Sequence, residues 1–149
     1  MKNLSCIKVS VVRDGNVELG PDVSQLDTPL RVAAAVRALI GPGEEREHFI
    51  AFFVDMRHKI KSVSVISIGT LSCSLVHPRE VFRPAIVAGA AAVILAHNHP
   101  SGDCTPSSED RESTRRLVKA GELLGIPVLD HVIVGEAYKY ISFRETGLI

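Results

Sequence analysis

One stretch constrains this chain more than any other. The apolar run Ala90 to Leu95 passes into Ala96-His97-Asn98-His99-Pro100, then a turn rich in Pro, Gly, Ser and Thr, then a segment of helical period from Ser108 to Leu124. A short all-apolar run, here Ala91 to Leu95, fits a strand at the centre of a sheet covered on both faces. His97 and His99 are two apart, so on extended chain their side chains point to the same side and both imidazoles can reach one ion. Asp110 follows His99 by eleven residues. It begins the 4-3-4-3 stripe Asp110, Thr114, Leu117, Gly121, Leu124, which predicts a carboxylate on the buried side of the helix. Two imidazole nitrogens and one carboxylate supply three protein ligands for a single Zn2+. The fourth tetrahedral position then stays free for water, which is how catalytic rather than structural zinc sites are built.

At 149 residues the chain fits a single domain that buries most of its apolar surface without needing disulfides or metal, so a metal here serves chemistry more than folding. The predicted division is an N-terminal strand and helix extension over 1–43 and a metal-site core over 44–149. With 17 basic and 17 acidic residues the net charge is zero, and no global field draws the protein onto nucleic acid or an anionic membrane. Cys6, Cys73 and Cys104 are widely spaced, odd in number and form no CxxC, which argues for free thiols in a reducing compartment. The first residues lack a signal-peptide apolar region. The longest apolar run, Ala85 to Ala96, is interrupted by Gly89 and too short to span a bilayer. The expected location is the cytoplasm.

Taken in order, Ile7 to Val12 alternates like a half-buried strand, with Asp14-Gly15 turning into a short return strand through Val17 and Leu19. Asp27 or Thr28 can cap a helix with Pro29 in its first turn, which Gly41-Pro42-Gly43 stops. The charged stretch Glu44 to His48 leads into a buried strand, Phe49 to Val54, and Ile60 to Ile68 alternates as its hairpin partner up to Gly69. A helix from Pro78 should turn Val81, Phe82, Ala85, Ile86 and Gly89 inward, with a kink or late start at Pro84. After the histidine loop, the helix to Leu124 ends at Gly125; Val128 to Val134 reads as a central strand and Tyr138 to Phe143 as its hairpin partner. About three helices and six or more strands in this order describe an α/β domain with helices packed on a mixed sheet.

A zinc hydrolase needs a base for its water, usually a carboxylate that is not a ligand. Glu44, Glu45, Glu47 and Glu109 are the candidates, and Glu47 alone is tied to a buried strand that would hold it rigidly. Ser107 has two readings. It can cap the helix, or, if Thr105 caps with Pro106 at the first helical position, its hydroxyl can point at substrate and hydrogen-bond the oxyanion of a tetrahedral intermediate. Arg111, Arg115 and Lys119 recur every four residues on an outward helix face, either a solvated surface or a stripe for acidic partners.

The run His97-Asn98-His99-Pro100-Ser101-Gly102-Asp103, with Thr105-Pro106-Ser107 and Asp110, Glu47-His48-Phe49, Gly69-Thr70, Pro78-Arg79-Glu80-Val81 and Asp130-His131, closely resembles the RadC family. RadC-type proteins belong to the wider JAMM (JAB1/MPN) metalloenzymes, whose pattern is a distant Glu followed by His-x-His-x7-Ser-x2-Asp. The resemblance implies a cytidine-deaminase-like α/β sandwich with one zinc ion on His97, His99 and Asp110. It makes Glu47 the general acid/base and Ser107 the oxyanion donor in hydrolysis of a peptide or isopeptide bond of a peptide or protein substrate. Longer RadC proteins carry an N-terminal helix-hairpin-helix region suited to DNA, whereas this chain shows a strand and one helix before Glu47. Cys104 stands where the family usually has proline, and reads as buried filler or as a thiol able to ligate or be oxidised. Asp130-His131 either supports the site or pairs at a strand end. Zinc deamination of a nucleobase needs His-x-Glu with Pro-Cys-x-x-Cys, and His97-Asn98-His99 with a lone Cys104 does not supply it. The alternative is a DNA-repair or recombination accessory module without peptidase turnover, which predicts salt-sensitive nucleic-acid binding.

Overall fold

Apolar periodicity decides most of the architecture. A computed structural model describes residues 4–5, 7–10, 14–16, 18–20, 23–69 and 76–149. The elements follow as α1 (Pro29–Ile40), β1 (Glu47–Val54), β2 (Ile60–Gly69), α2 (Pro78–Val87), β3 (Ala92–Asn98), α3 (Ser108–Leu124), β4 (Val128–Val134) and β5 (Tyr140–Ser142). The strands form one sheet in the order β2-β1-β3-β4-β5. Only β3 and β4 run parallel, joined by the α3 crossover; the other neighbours are antiparallel. This is the mixed-sheet α/β architecture that the order of elements predicts.

The run that reads as all apolar, β3, lies third of five and is buried on both faces, as is β1 beside it. Alternate residues feed two separate cores. Ile50, Phe52, Val54, Ile94 and Val132 pack under α1 with Val32, Ala33 and Val36. Phe49, Ala51, Phe53, Val93 and Leu95 pack with Val81, Phe82 and Ala85 of α2 and Leu117 of α3. Side chains of successive strand residues face opposite ways, so both cores are written into the same strands.

The ends of the helices follow local rules. Thr28 Oγ1 accepts from the Arg31 N–H at 3.3 Å with Pro29 in the first turn, and Gly41 at φ +76° ends α1. Gly125, left-handed at φ +71°, ends α3. Close approach also requires glycine at 121, where a Cβ would lie 2.5 Å from the Ile126 carbonyl oxygen and 3.2 Å from the Phe82 ring.

Several expectations need correction. The described residues of the N-terminal stretch, 7–10, 14–16 and 18–20, form no strand; Val11, Val12 and Val17 lie outside the described residues. Ile7 and Val9 are 83% and 69% exposed, so their alternation buries no face among the described residues. Five strands rather than six are therefore found among the described residues. The helix α2 starts at Pro78 and runs through Pro84, and its buried face holds Val81, Phe82 and Ala85. Ile86 lies past the edge of that face at 55% exposure, and Gly89, at φ +65°, falls after the helix and is exposed. Leu124, the last member of the α3 stripe, is also largely exposed, because the chain turns back onto the sheet after Gly121. Tyr138 belongs to the β4–β5 turn, where Gly135 and Lys139 pair and Ala137 takes φ +51°, so β5 begins only at Tyr140.

Candidate metal centre

Strand parity puts the site on the α2/α3 face. Glu47 shares its side of β1 with Phe49, Ala51 and Phe53, which pack on that face. Phe49 pairs with His97 across β1 and β3, and Leu95 pairs with His131 across β3 and β4. His97 and His131 therefore stand on the same face as Leu95, both fully buried. The first turn of α3 covers them and presents Asp110, 3% exposed, from the stripe position the sequence assigns it.

Ligand atoms of Glu47, His97, His99 and Asp110 all lie within 4.8 Å of one another. The Asp110 carboxylate spans both imidazoles, Oδ1 lying 3.3 Å from His97 Nε2 and Oδ2 3.3 Å from His99 Nε2. Glu47 Oε1 sits 3.5 Å from His97 Nε2, and the two Nε2 atoms are 3.0 Å apart. The other ring nitrogens are already committed. His99 Nδ1 faces the Asp103 carbonyl oxygen at 2.7 Å, which can only accept, so Nδ1 donates; His97 Nδ1 meets His131 Nε2 at 2.7 Å. Two Nε2 atoms and two carboxylates thus converge on one point, and lone pairs crowded this way suit a cation. The donor set fits a divalent ion taking nitrogen and oxygen ligands.

Charge and burial shift the neighbouring groups in opposite directions. Burial raises the Glu47 carboxyl above its ordinary range, Asp110 and Glu109 add to this, and His97 and His99 oppose it. The hydrogen bond to Asp110 raises His99, against the effect of its own burial and with help from the Asp103 carbonyl. Complete burial, reinforced by His97 and His99, pushes His131 well below the usual imidazole value.

Short-range contacts lock each ligand. Ser107, not Thr105, caps α3: its Oγ accepts from the Asp110 N–H at 3.0 Å while Asp110 Oδ2 accepts from the Ser107 N–H at 2.8 Å. This capping box fixes the Asp110 carboxylate at the positive end of a helix. Thr105 instead donates its hydroxyl to Asp103 Oδ1 at 2.7 Å within the loop. The loop is pinned to the end of β4 by His99 N–H to Val134 C=O and Glu136 N–H to Gly102 C=O, both 2.9 Å. Gly135 permits this contact, since a Cβ there would run into the Gly102 carbonyl oxygen.

Asn98 is a site residue that sequence reasoning misses. Its Oδ1 accepts from the His48 N–H at 2.7 Å and its Nδ2 donates to the Arg46 carbonyl at 3.0 Å, gripping the main chain on both sides of Glu47. The only clue in the sequence is its position between His97 and His99. The Asp130-His131 pair splits: His131 touches the site, whereas Asp130 accepts from Ser142 Oγ and from the backbone of His131 and Arg144. Glu44 is engaged by Arg46, whose hydrogen bonds pull its carboxyl down to about 2, while Glu45 and Glu109 are exposed. Cys104 is a free thiol outside the four-residue cluster, packed near Gly135; Cys6 and Cys73 lie outside the described residues. Arg111, Arg115 and Lys119 are exposed. No helix among the described residues is long and apolar enough to cross a membrane.

The chain is 47% identical over 141 residues to a UPF0758 protein of Rubrobacter xylanophilus, covering 95% of this chain and 61% of that one. It is 58% identical over 103 residues to a UPF0758 protein of Symbiobacterium thermophilum, covering 69% and 44%. A UPF0758 protein of Desulforamulus reducens is 52% identical over 105 residues, covering 70% and 46%. The chain thus spans about half the length of the curated relatives it matches. Residues 26–148 match the RadC-like JAB domain, so that by sequence and by architecture this chain belongs to the RadC-like JAB domain family.

Proposed function

We propose that this chain is a zinc-dependent hydrolase of JAMM type that cleaves a peptide or isopeptide bond, with His97, His99 and Asp110 holding one zinc ion. The observation that carries the reading is the convergence of these ligands with the carboxylate of Glu47 inside 4.8 Å. A bound divalent cation supplies Lewis acidity, polarising a carbonyl and lowering the pKa of water toward neutrality. Glu47 acts as the base: it takes the proton of the attacking water and hands it to the leaving amine. Its raised affinity for a proton, from burial, suits both halves of that cycle. Ser107 uses its oxygen as an acceptor in capping, so its hydroxyl proton is left to donate to the developing oxyanion. Ser107 is exposed and Glu47 half-buried, so substrate approaches from the α3 N-terminal side. Three widely spaced cysteines, an odd count with no CxxC, support a reducing compartment, hence a peptide or protein substrate met in the cytoplasm.

The test is turnover of a peptide library and of tail-fused protein substrates by zinc-loaded protein. Chelation and Glu47→Gln should each remove activity, the latter by about 10²-fold or more, with folding unchanged. Turnover that survives both would end the proposal. A gel-shift titration against salt tests the DNA-associated alternative, which neutral net charge does not favour.

A further inference from the structure

Behind the ligands runs a fully buried chain of polar atoms that the proposed hydrolysis does not itself use. His97 Nδ1 meets His131 Nε2 at 2.7 Å, His131 Nδ1 meets Thr114 Oγ1 at 2.6 Å, and Thr114 Oγ1 donates to the Asp110 carbonyl oxygen at 2.6 Å. His97 and His131 are 0% exposed and Thr114 is 1% exposed. We propose that Thr114 and His131 are positioning residues that fix the tautomer of His97, so that its Nε2 faces the cation as a bare lone pair. The inference rests on the metal-site reading above and deepens it.

Proton bookkeeping gives the direction. A backbone carbonyl can only accept, so the single hydroxyl proton of Thr114 is spent on Asp110 C=O. Thr114 Oγ1 must then accept, which places the proton of His131 on Nδ1. With its ring proton on Nδ1, His131 offers the Nε2 lone pair to His97 Nδ1–H across 2.7 Å. His97 Nε2 is left without a proton. The reversed order would place a proton on His97 Nε2, pointed into the cluster, and ligation through that atom would be barred.

Aromatic packing keeps the order from being exchanged through water. His131 lies between Phe143, stacked at 4.8 Å, and Phe49, edge-on at 5.4 Å, while Phe49 also stacks on His97 at 5.8 Å. Asp110 closes the circuit: its carboxylate lies 3.3 Å from His97 Nε2 and its carbonyl anchors the far end of the chain that orients His97. His99 has the simpler arrangement, its Nδ1 tied directly to a carbonyl.

The test combines zinc affinity, by competition with a chromophoric chelator, and 15N-histidine NMR of the metal-free protein. Wild type should bind zinc and show His97 as the Nδ1–H tautomer. Thr114→Val should weaken zinc about 10–100-fold and mix the His97 tautomers, whereas Thr114→Ser should stay within about threefold of wild type with the tautomer intact. Equal zinc affinity for wild type and folded Thr114→Val overturns the positioning role and leaves the metal site standing. Failure of wild type to bind zinc overturns the metal reading and this inference with it. If Thr114→Val does not fold, the wild-type spectrum decides: a His97 proton on Nε2 refutes the chain.

Discussion

Replacing Asp130 by alanine should cost stability and leave metal binding alone. Asp130 is 6% exposed and precedes His131 directly, yet its carboxylate faces away from the cluster. Oδ1 accepts from the His131 and Arg144 N–H groups at 2.7 and 3.0 Å, and Oδ2 accepts from Ser142 Oγ at 2.6 Å. These bonds tie β4 to β5 and to the turn that follows it. Each donor left unpaired in a buried place costs about 1–3 kcal/mol. The groove between the α1 N-terminus and β5, lined by Asp130, Ser142 and Arg144, admits water to part of the gap. The loss should therefore fall at the lower end of the sum, about 3 kcal/mol, or a drop in Tm of about 6–12 °C for a domain of this size. Asp130→Asn keeps one acceptor oxygen and should lose about half as much.

Thermal and urea melts of the metal-free proteins measure the loss, and chelator competition well below Tm measures zinc. Asp130→Ala should bind zinc within about twofold of wild type, against the 10–100-fold loss expected when a group supporting a ligand is removed. A Tm change under about 2 °C would refute the assignment of Asp130 to the β5 clip. So would loss of zinc from a variant still folded, because the two residues of the Asp130-His131 pair would then share one role.

Asn98→Ala should lower turnover about tenfold or more by releasing the main chain around Glu47 while zinc affinity changes little, since the loss of a positioning contact of this kind is felt at the reacting group; equal turnover would show that Glu47 needs no such grip. Gly135→Ala places a methyl against the Gly102 carbonyl and should cost about 2 kcal/mol and loosen His99, read as a lower Tm and weaker zinc binding; an unchanged Tm would mean that the loop shifts freely. For His131, the folded-state pKa lies well below the unfolded value of about 6.5. Below that pH the unfolded chain takes a proton that the native protein refuses. Stability of the metal-free protein should fall on acidification by up to about 1.4 kcal/mol per pH unit from this group, and the group contributes no slope above pH 6.5. His99, raised by Asp110, works the other way, its contribution being present at low pH and lost as pH rises through its folded value. The difference between wild type and His131→Gln in urea melts from about pH 7.5 to 5 isolates the first effect, and a flat difference would show that His131 is protonated in the native state.

Legibility in the sequence followed the range of the interaction. The apolar run of β3, the stripe carrying Asp110, and the Gly stops at 41 and 125 depend on neighbours within one or two turns, and all are readable from spacing. Ser107 and Thr105 were two caps two residues apart on either side of Pro106, each locally sound, and the choice between them fell to Asp110, whose carboxylate returns to the Ser107 N–H. Ile7 and Val9 of the N-terminal alternation stay exposed and in no strand among the described residues, which a single-strand pattern cannot reveal.

Asn98, and the choice between the two readings of the Asp130-His131 pair, were opaque for a different reason: their roles are properties of register. Asn98 reaches across fifty residues of chain to the start of β1, and His131 reaches back thirty-four to His97. Neither distance leaves a trace in spacing along one segment. Once Phe49 is set opposite His97 and Leu95 opposite His131, the alternation of side chains puts Glu47, His97 and His131 on one face and Asp130 on the other. A slip of one residue in either pairing would send the groups on the strand that slips to the opposite core. The ladders of β1, β3 and β4, buried on both sides by apolar side chains that tolerate no such slip, are therefore what holds Glu47, His97 and His131 on one face of the sheet.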